Sequence, residues 1–162
     1  MIAVLDSNVA IGLAKGECLE HIRTLFLRVV IPPAVRREVI EEAHGRVGGR
    51  ELEAAVGVWI HETAPACIGD GAAIPGVSTE DRQVLALAAE LGAVVLSDDA
   101  VLRREADRLG ISALGVVEIV LLLKYQGILP AIKPILDLMQ ARTYCIDPTI
   151  YAQALEIASE RH

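Results

Sequence analysis

The sequence predicts an α/β domain built on a mainly parallel sheet, and three observations carry that prediction. Short apolar runs at Ile2 to Leu5, Val29 to Ile31 and Ala93 to Leu96 have the length and β-branched content of buried strands. Segments of helical period separate them, and strands that alternate with helices build parallel sheets. A hydrophobic content of 53% over 162 residues supplies a core without disulfides or a structural metal. One domain over 1–162 is expected, with a helical C-terminal extension from about 116.

The first strand ends on Asp6, Ser7 and Asn8, so a helix starts there with Asp6 as its cap or as part of a site. A helical segment follows within Cys18 to Leu27, with Leu19, Ile22, Leu25 and Phe26 on one face. In "IPPAVRREVIEEAH" the two prolines sit in the first turn of the next helix, where a missing N–H costs little. "HGRVGG" and "PACIGDGAAIPG" read as surface loops near a functional edge. The clearest helix is "VSTEDRQVLALAAELG": Ser78 or Thr79 caps it, Asp81 is the capping-box acid and Gly92 lies past its end. "AVVLSDDAVLRREADRLG" repeats the pattern of strand, capped helix and glycine, here Gly110. Beyond Gly115, "VVEIVLLLKYQG", "PAIKPILDLMQAR" and "DPTIYAQALEIASERH" predict helices packed on the same sheet.

Composition narrows the function. Aromatic residues make up 3%, which excludes a ladder of stacking rings for single-stranded nucleic acid. A net charge of −7 argues against a broad basic surface that grips phosphates, although bound cations can reverse the sign of an acidic cleft. Cys18, Cys67 and Cys145 are odd in number and lack CxxC spacing, which predicts buried or free thiols in a reducing cytoplasm. No membrane segment is expected, since "MIAVLD" lacks a basic leader and "GVVEIVLLLKYQG" falls short of the roughly 20 apolar residues a span needs.

Most of the 22 acids must be ordinary solvated charges, so the informative ones sit where solvation is unexpected. Asp6 ends the first strand, and Asp98 with Asp99 follows the strand Ala93 to Leu96. Sites in open parallel sheets form beyond the carboxyl ends of strands, and adjacency of these two strands would gather the three acids. Glu38 and Asp81 border the apolar faces of their helices and are expected to point along the core-facing side. Taken singly, each acid also reads as a cap, a first-turn acid or an edge residue. Taken jointly they form an all-oxygen set, which selects Mg²⁺ or Mn²⁺ over Zn²⁺. His21, His44, His61 and His162 lack metal-ligand spacing.

"VLDSNV", "IPPAVRREV", "TEDRQVLALA" and "VVLSDDAVLRREADRLGI", extending into "LGVVEIVLLLKYQGILPAIKPILDLM", resemble the PIN-domain ribonucleases over nearly the whole chain. The likeness is to a subfamily of predicted nucleic-acid-binding PIN proteins, relatives of VapC-type toxins. It implies a three-layer α/β/α fold and a metal-dependent endoribonuclease site formed by Asp6, Glu38, Asp81 and the Asp98/Asp99 position. A Ser or Thr two residues before the last acid fits Ser97 and points to Asp99, and the choice between Asp98 and Asp99 stays open. Arg82 and Gln83 stand where the pattern carries a second helical acid, which leaves a two-metal site with fewer ligands.

The reaction this implies is phosphodiester hydrolysis assisted by one or two Mg²⁺ or Mn²⁺ ions, about 4 Å apart if paired. Asp6 would anchor the first ion with Asp99 or Asp98, and Glu38 and Asp81 would hold the second ion or its waters. Ser7 and Asn8 are candidates to orient water or phosphate, or serve as plain caps. Arg103 and Arg104, with Arg36 and Arg37, are candidate phosphate contacts, or solvated helix faces. Expected partners are an RNA substrate, an antitoxin-like protein and a second copy of the chain, the last two from apolar faces at Leu121 to Leu123 and at Ile132, Ile135, Leu136 and Met139. One rival is a catalytically weak or inactive module that binds RNA or protein. Another, a phosphoryl-transfer domain with Asp6 as nucleophile, lacks a second Asp two residues on and a strand-end lysine.

Overall fold

In a computed structural model of the chain, which describes residues 1–68 and 75–161, five strands form one sheet. They are β1 (Ile2–Leu5), β2 (Arg28–Ile31), β3 (Ile60–Glu62), β4 (Val94–Leu96) and β5 (Ala113–Leu114), in the order β3-β2-β1-β4-β5. Every neighbouring pair is parallel. Ala3, Val4 and Leu5 of β1 are all buried, as a central strand covered on both faces requires. Helices flank the sheet, giving the expected α/β/α arrangement.

The helices are α1 (Ser7–Lys15), α2 (Pro33–Ala43), α3 (Gly49–Ala55), α4 (Thr79–Leu91), α5 (Ala100–Arg108), α6 (Val116–Tyr125), α7 (Lys133–Ala141) and α8 (Pro148–Ile157). From β1 the chain moves outward through β2 and β3, then returns to β4 on the other side of β1. That reversal opens a crevice beyond the carboxyl ends of β1 and β4. The two strands are hydrogen-bonded in register, Val4 opposite Val95 and Leu5 opposite Leu96, so the segments after them emerge side by side. Helices α1, α2, α5 and α6 each start just beyond a strand's carboxyl end. Because α4 runs into the amino end of β4, its own N-terminus lies at the same edge. Helix N-termini carry partial positive charge, so this edge favours carboxylates.

Local chemistry explains these starts. Pro32 is the N-cap and Pro33 the first residue of α2. The Ser78 hydroxyl accepts from the Asp81 amide at 3.1 Å to open α4, and Gly92 closes it at φ +60, a conformation costly for residues with a Cβ. Asp99 accepts from the Leu102 amide at 2.8 Å to open α5. The segment after Cys18 is a 3₁₀ helix (Leu19–Thr24) with Leu19 and Ile22 buried, rather than an α-helix.

Several expectations need correction. "HGRVGG" does not border the carboxyl edge: it lies beyond the far end of α2, and its last glycine begins α3. "PACIGDGAAIPG" falls partly outside the described residues; its opening is held by Glu90, which accepts from the amides of Ala66 and Cys67 at 3.0 and 3.1 Å. The C-terminal helices do not all rest on the sheet, since α7 packs on α1 and α8 on α6. Of the apolar residues singled out there, Leu123, Ile132, Leu136 and Met139 are fully buried, Leu121 and Ile135 half-buried and Leu122 exposed. Cys18 is buried and Cys67 and Cys145 are exposed, all three as free thiols. No helix among the described residues is long and apolar enough to cross a membrane.

Candidate active site

Asp6 is 6% exposed at the carboxyl end of β1, and its backbone amide bonds the Leu96 carbonyl at 3.0 Å across to β4. Its carboxylate is held on both oxygens. Oδ1 accepts from the Ser7 amide at 2.8 Å, and Oδ2 accepts from the Ser97 hydroxyl at 2.8 Å. The Ser97 oxygen in turn accepts from the Asp99 amide at 3.1 Å. A chain of hydrogen bonds thus links the acid of β1 to the acid that follows β4. Ser7 and Ser97 are both buried, and each donates a hydrogen bond to Asp6.

The charge on Asp6 is under strain. Burial pushes its pKa from 3.8 up to about 6, against the lowering effect of the Ser97 and Ser7 hydrogen bonds, and the charges of Asp81 and Glu38 add to the rise. Asp81, half-buried, is raised as well, first by burial and then by the Asp99 charge, while its bonds to the Ser78 amide and hydroxyl work in the opposite direction. Asp6 thus feels the charges of Asp81 and Glu38, and Asp81 that of Asp99. Glu38 departs from expectation: it shares a helix face with buried Ala34 and Val35 but is itself exposed, because that face opens to solvent at its position.

Asp98 and Asp99 separate cleanly. Asp98 Oδ1 accepts from the Val116 amide at 3.1 Å and Oδ2 from the Tyr144 hydroxyl at 2.6 Å, so both oxygens are engaged. Asp99 uses Oδ1 to cap α5, and its Oδ2 accepts no hydrogen bond among the described residues. Of the two, it is the Asp99 charge that acts on Asp81. Asp6 and Asp99 also cap α1 and α5, and Asp81 is a first-turn acid of α4, whose cap is Ser78.

The remaining predicted contacts divide. Asn8 is exposed and lines a groove of about 750 Å³ that runs past Asp98, Arg103 and Tyr144. Arg103 is spoken for, with Nη2 on both oxygens of Glu118 at 2.9 and 3.2 Å. Arg36 pairs with Glu62 at 3.1 Å, whereas Arg37 and Arg104 are exposed. Two residues escaped the sequence reading as structural parts of the site. Tyr144 gives no local signal, being far along the chain from Asp98. Gln83, seen only as a missing acid, accepts from the Ala34 amide at 3.2 Å and ties α4 to the start of α2.

The pattern of the DUF3368 family, described as a PIN domain, matches residues 2–160. The chain belongs to the PIN-domain family. PIN domains are a superfamily of nucleases. Among solved structures, a PilT N-terminus domain protein from the hyperthermophilic archaeon Sulfolobus solfataricus P2 is similar in fold at 19% identity and a TM-score of 0.50, over 72% of this chain and 87% of that one. No curated protein matches significantly.

PIN nucleases usually use divalent metals. The donors at this edge are all carboxylate oxygens, which suit hard cations, and a cation would relieve the charge that burial and neighbouring acids impose on Asp6. Among the described residues no three His, Cys, Asp or Glu side chains are drawn together tightly enough to hold a metal ion. Asp6 is fixed in place, so closing the set requires rotation at exposed Glu38 and half-buried Asp81 and Asp99.

Proposed function

We infer that this PIN domain is a metal-dependent endoribonuclease in which Asp6, Asp99, Asp81 and Glu38 hold Mg²⁺ or Mn²⁺. One observation carries the reading: a buried carboxylate at the β1–β4 crevice with its pKa pushed up to about 6, facing two further acids. A buried charge in repulsive surroundings costs stability, and function is the usual reason such a cost is retained. A cation held by these acids would supply Lewis-acid activation of water and charge neutralisation at the scissile phosphate.

The chain's own residues supply the geometry. Ser97 and Ser7 fix both oxygens of Asp6, and the Ser97 oxygen also fixes the backbone at Asp99. Gln83 holds the start of α2, from which Glu38 projects, against α4, which carries Asp81. Asn8, exposed at the first turn of α1, is placed to donate to a phosphate or ribose oxygen. Of the predicted arginines, Arg104 and Arg37 are the ones open to the RNA backbone. RNA cleavage in Mn²⁺ or Mg²⁺ that EDTA stops and Asp6→Asn abolishes supports the reading; cleavage indifferent to both overturns it.

The spacing of the acids favours one alternative, a PIN-fold module that binds RNA without cutting it. RNA binding with no thermal shift on adding Mn²⁺ would favour that module over the nuclease.

A further inference from the structure

We propose that Tyr144 is a positioning residue, which holds Asp98 and through it fixes the Ser97–Asp99 turn that completes the carboxylate site. The Tyr144 hydroxyl donates to Asp98 Oδ2 at 2.6 Å, while the Val116 amide at the start of α6 donates to Oδ1 at 3.1 Å. Asp98 is exposed, so water could satisfy it; instead it is pinned from two directions. The residues on either side of it are the ones that matter to the site, Ser97 bonding Asp6 and Asp99 facing Asp81.

The tyrosine is itself held. Its ring lies on α1 against Gly12, where an added Cβ would come within 2.7 Å of Cζ. Burial raises the phenol's pKa, with Asp98 and then Asp6 adding to the rise, so it stays a protonated donor at neutral pH and its hydroxyl stands within reach of the Asp6 charge. Gly115 is crowded in the same way: a Cβ there would collide with Asp98 Oδ1 and Arg103. The connection between α7 and α8 thus reaches back to the carboxyl edge and acts on the site through one hydroxyl.

This inference rests on the nuclease reading only for its effect on activity, since the positioning of the turn can be read without catalysis. The experiment compares wild type, Tyr144→Phe, Asp98→Ala and the double variant. Tyr144→Phe keeps the ring on Gly12 and removes only the donor, so its Tm is expected to stay within about 3 °C of wild type. The Asp99 amide is expected to shift in ¹⁵N NMR and exchange faster with solvent. Mn²⁺ affinity, from the electron paramagnetic resonance signal of free Mn²⁺, is expected to fall about tenfold, and kcat to fall with KM little changed. The double variant is expected to be no worse than Asp98→Ala. An unchanged Asp99 amide in Tyr144→Phe, or additive losses in the double variant, would overturn the proposal. An Asp99 response in a protein that binds no Mn²⁺ would uphold the positioning role and defeat the nuclease reading.

Discussion

The carboxylates at the β1–β4 crevice and those of the C-terminal helices are the same chemical group under opposite conditions. Between α6 and α8, Glu160 takes the Lys124 ammonium at 2.6 Å and the amides of Ile132 and Lys133 at 2.7 and 2.8 Å. Burial works against its charge, but those donors outweigh it and lower its pKa. On α7, Asp137 is lowered first by its bond to Lys133 and then by the Tyr151 hydroxyl. At the crevice, Asp6 is buried with two neutral donors and further acids around it, and its pKa rises. Glu160 and Asp137 find ammonium groups; Asp6 and Asp99 at the strand ends find only neutral donors among the described residues. That contrast, more than the presence of carboxylates, marks the site.

The sharpest way to break the contrast is Asp6→Asn. Folded Asp6 binds its proton with a pKa of about 6 against 3.8 in the unfolded chain, so over that interval the native state holds more protons. The carboxylate therefore costs stability above pH 6, and the cost disappears as pH falls through 6 toward 4. The variant is expected to lose RNA cleavage by a factor of at least about 100. In EDTA at pH 7.5 it is expected to gain roughly 2–3 kcal/mol over wild type in urea denaturation, a gain that fades by about pH 4. Glu160→Gln should do the reverse, losing roughly 1–2 kcal/mol in the same assay with cleavage intact, because it leaves Lys124 without its charge partner. Gly12→Ala is expected to cost about 1–2 kcal/mol by driving the Tyr144 ring off α1, with the Asp99 amide resonance reporting the disturbance. The smallest stability effect belongs to exposed Glu38→Gln, within about 0.5 kcal/mol, while cleavage is expected to fall.

Much of this was legible because local physics sets it. The runs at β1, β2 and β4 and the caps at Ser78 and Asp99 have signals a few residues long, and so they survive into the fold. Strands β3 and β5 escaped because Ile60–Glu62 and Ala113–Leu114 are too short to show alternation. Helix α3 escaped because Gly48 and Gly49 at its start read as loop. The different surroundings of Asp98 and Asp99 could not be read locally: Asp98 takes a hydroxyl from Tyr144 and an amide from Val116, both brought in by tertiary packing. Glu38 misled because helix angle fixes a direction, and whether that direction meets core or solvent depends on where the neighbouring elements stop.

The most direct measurement is a ¹³C NMR titration of the Asp6 side-chain carboxyl, with and without Mg²⁺. The account predicts a midpoint near 6 in the metal-free protein, displaced below the ordinary carboxylate range when Mg²⁺ is added. A midpoint near 4 that Mg²⁺ leaves unmoved would contradict it.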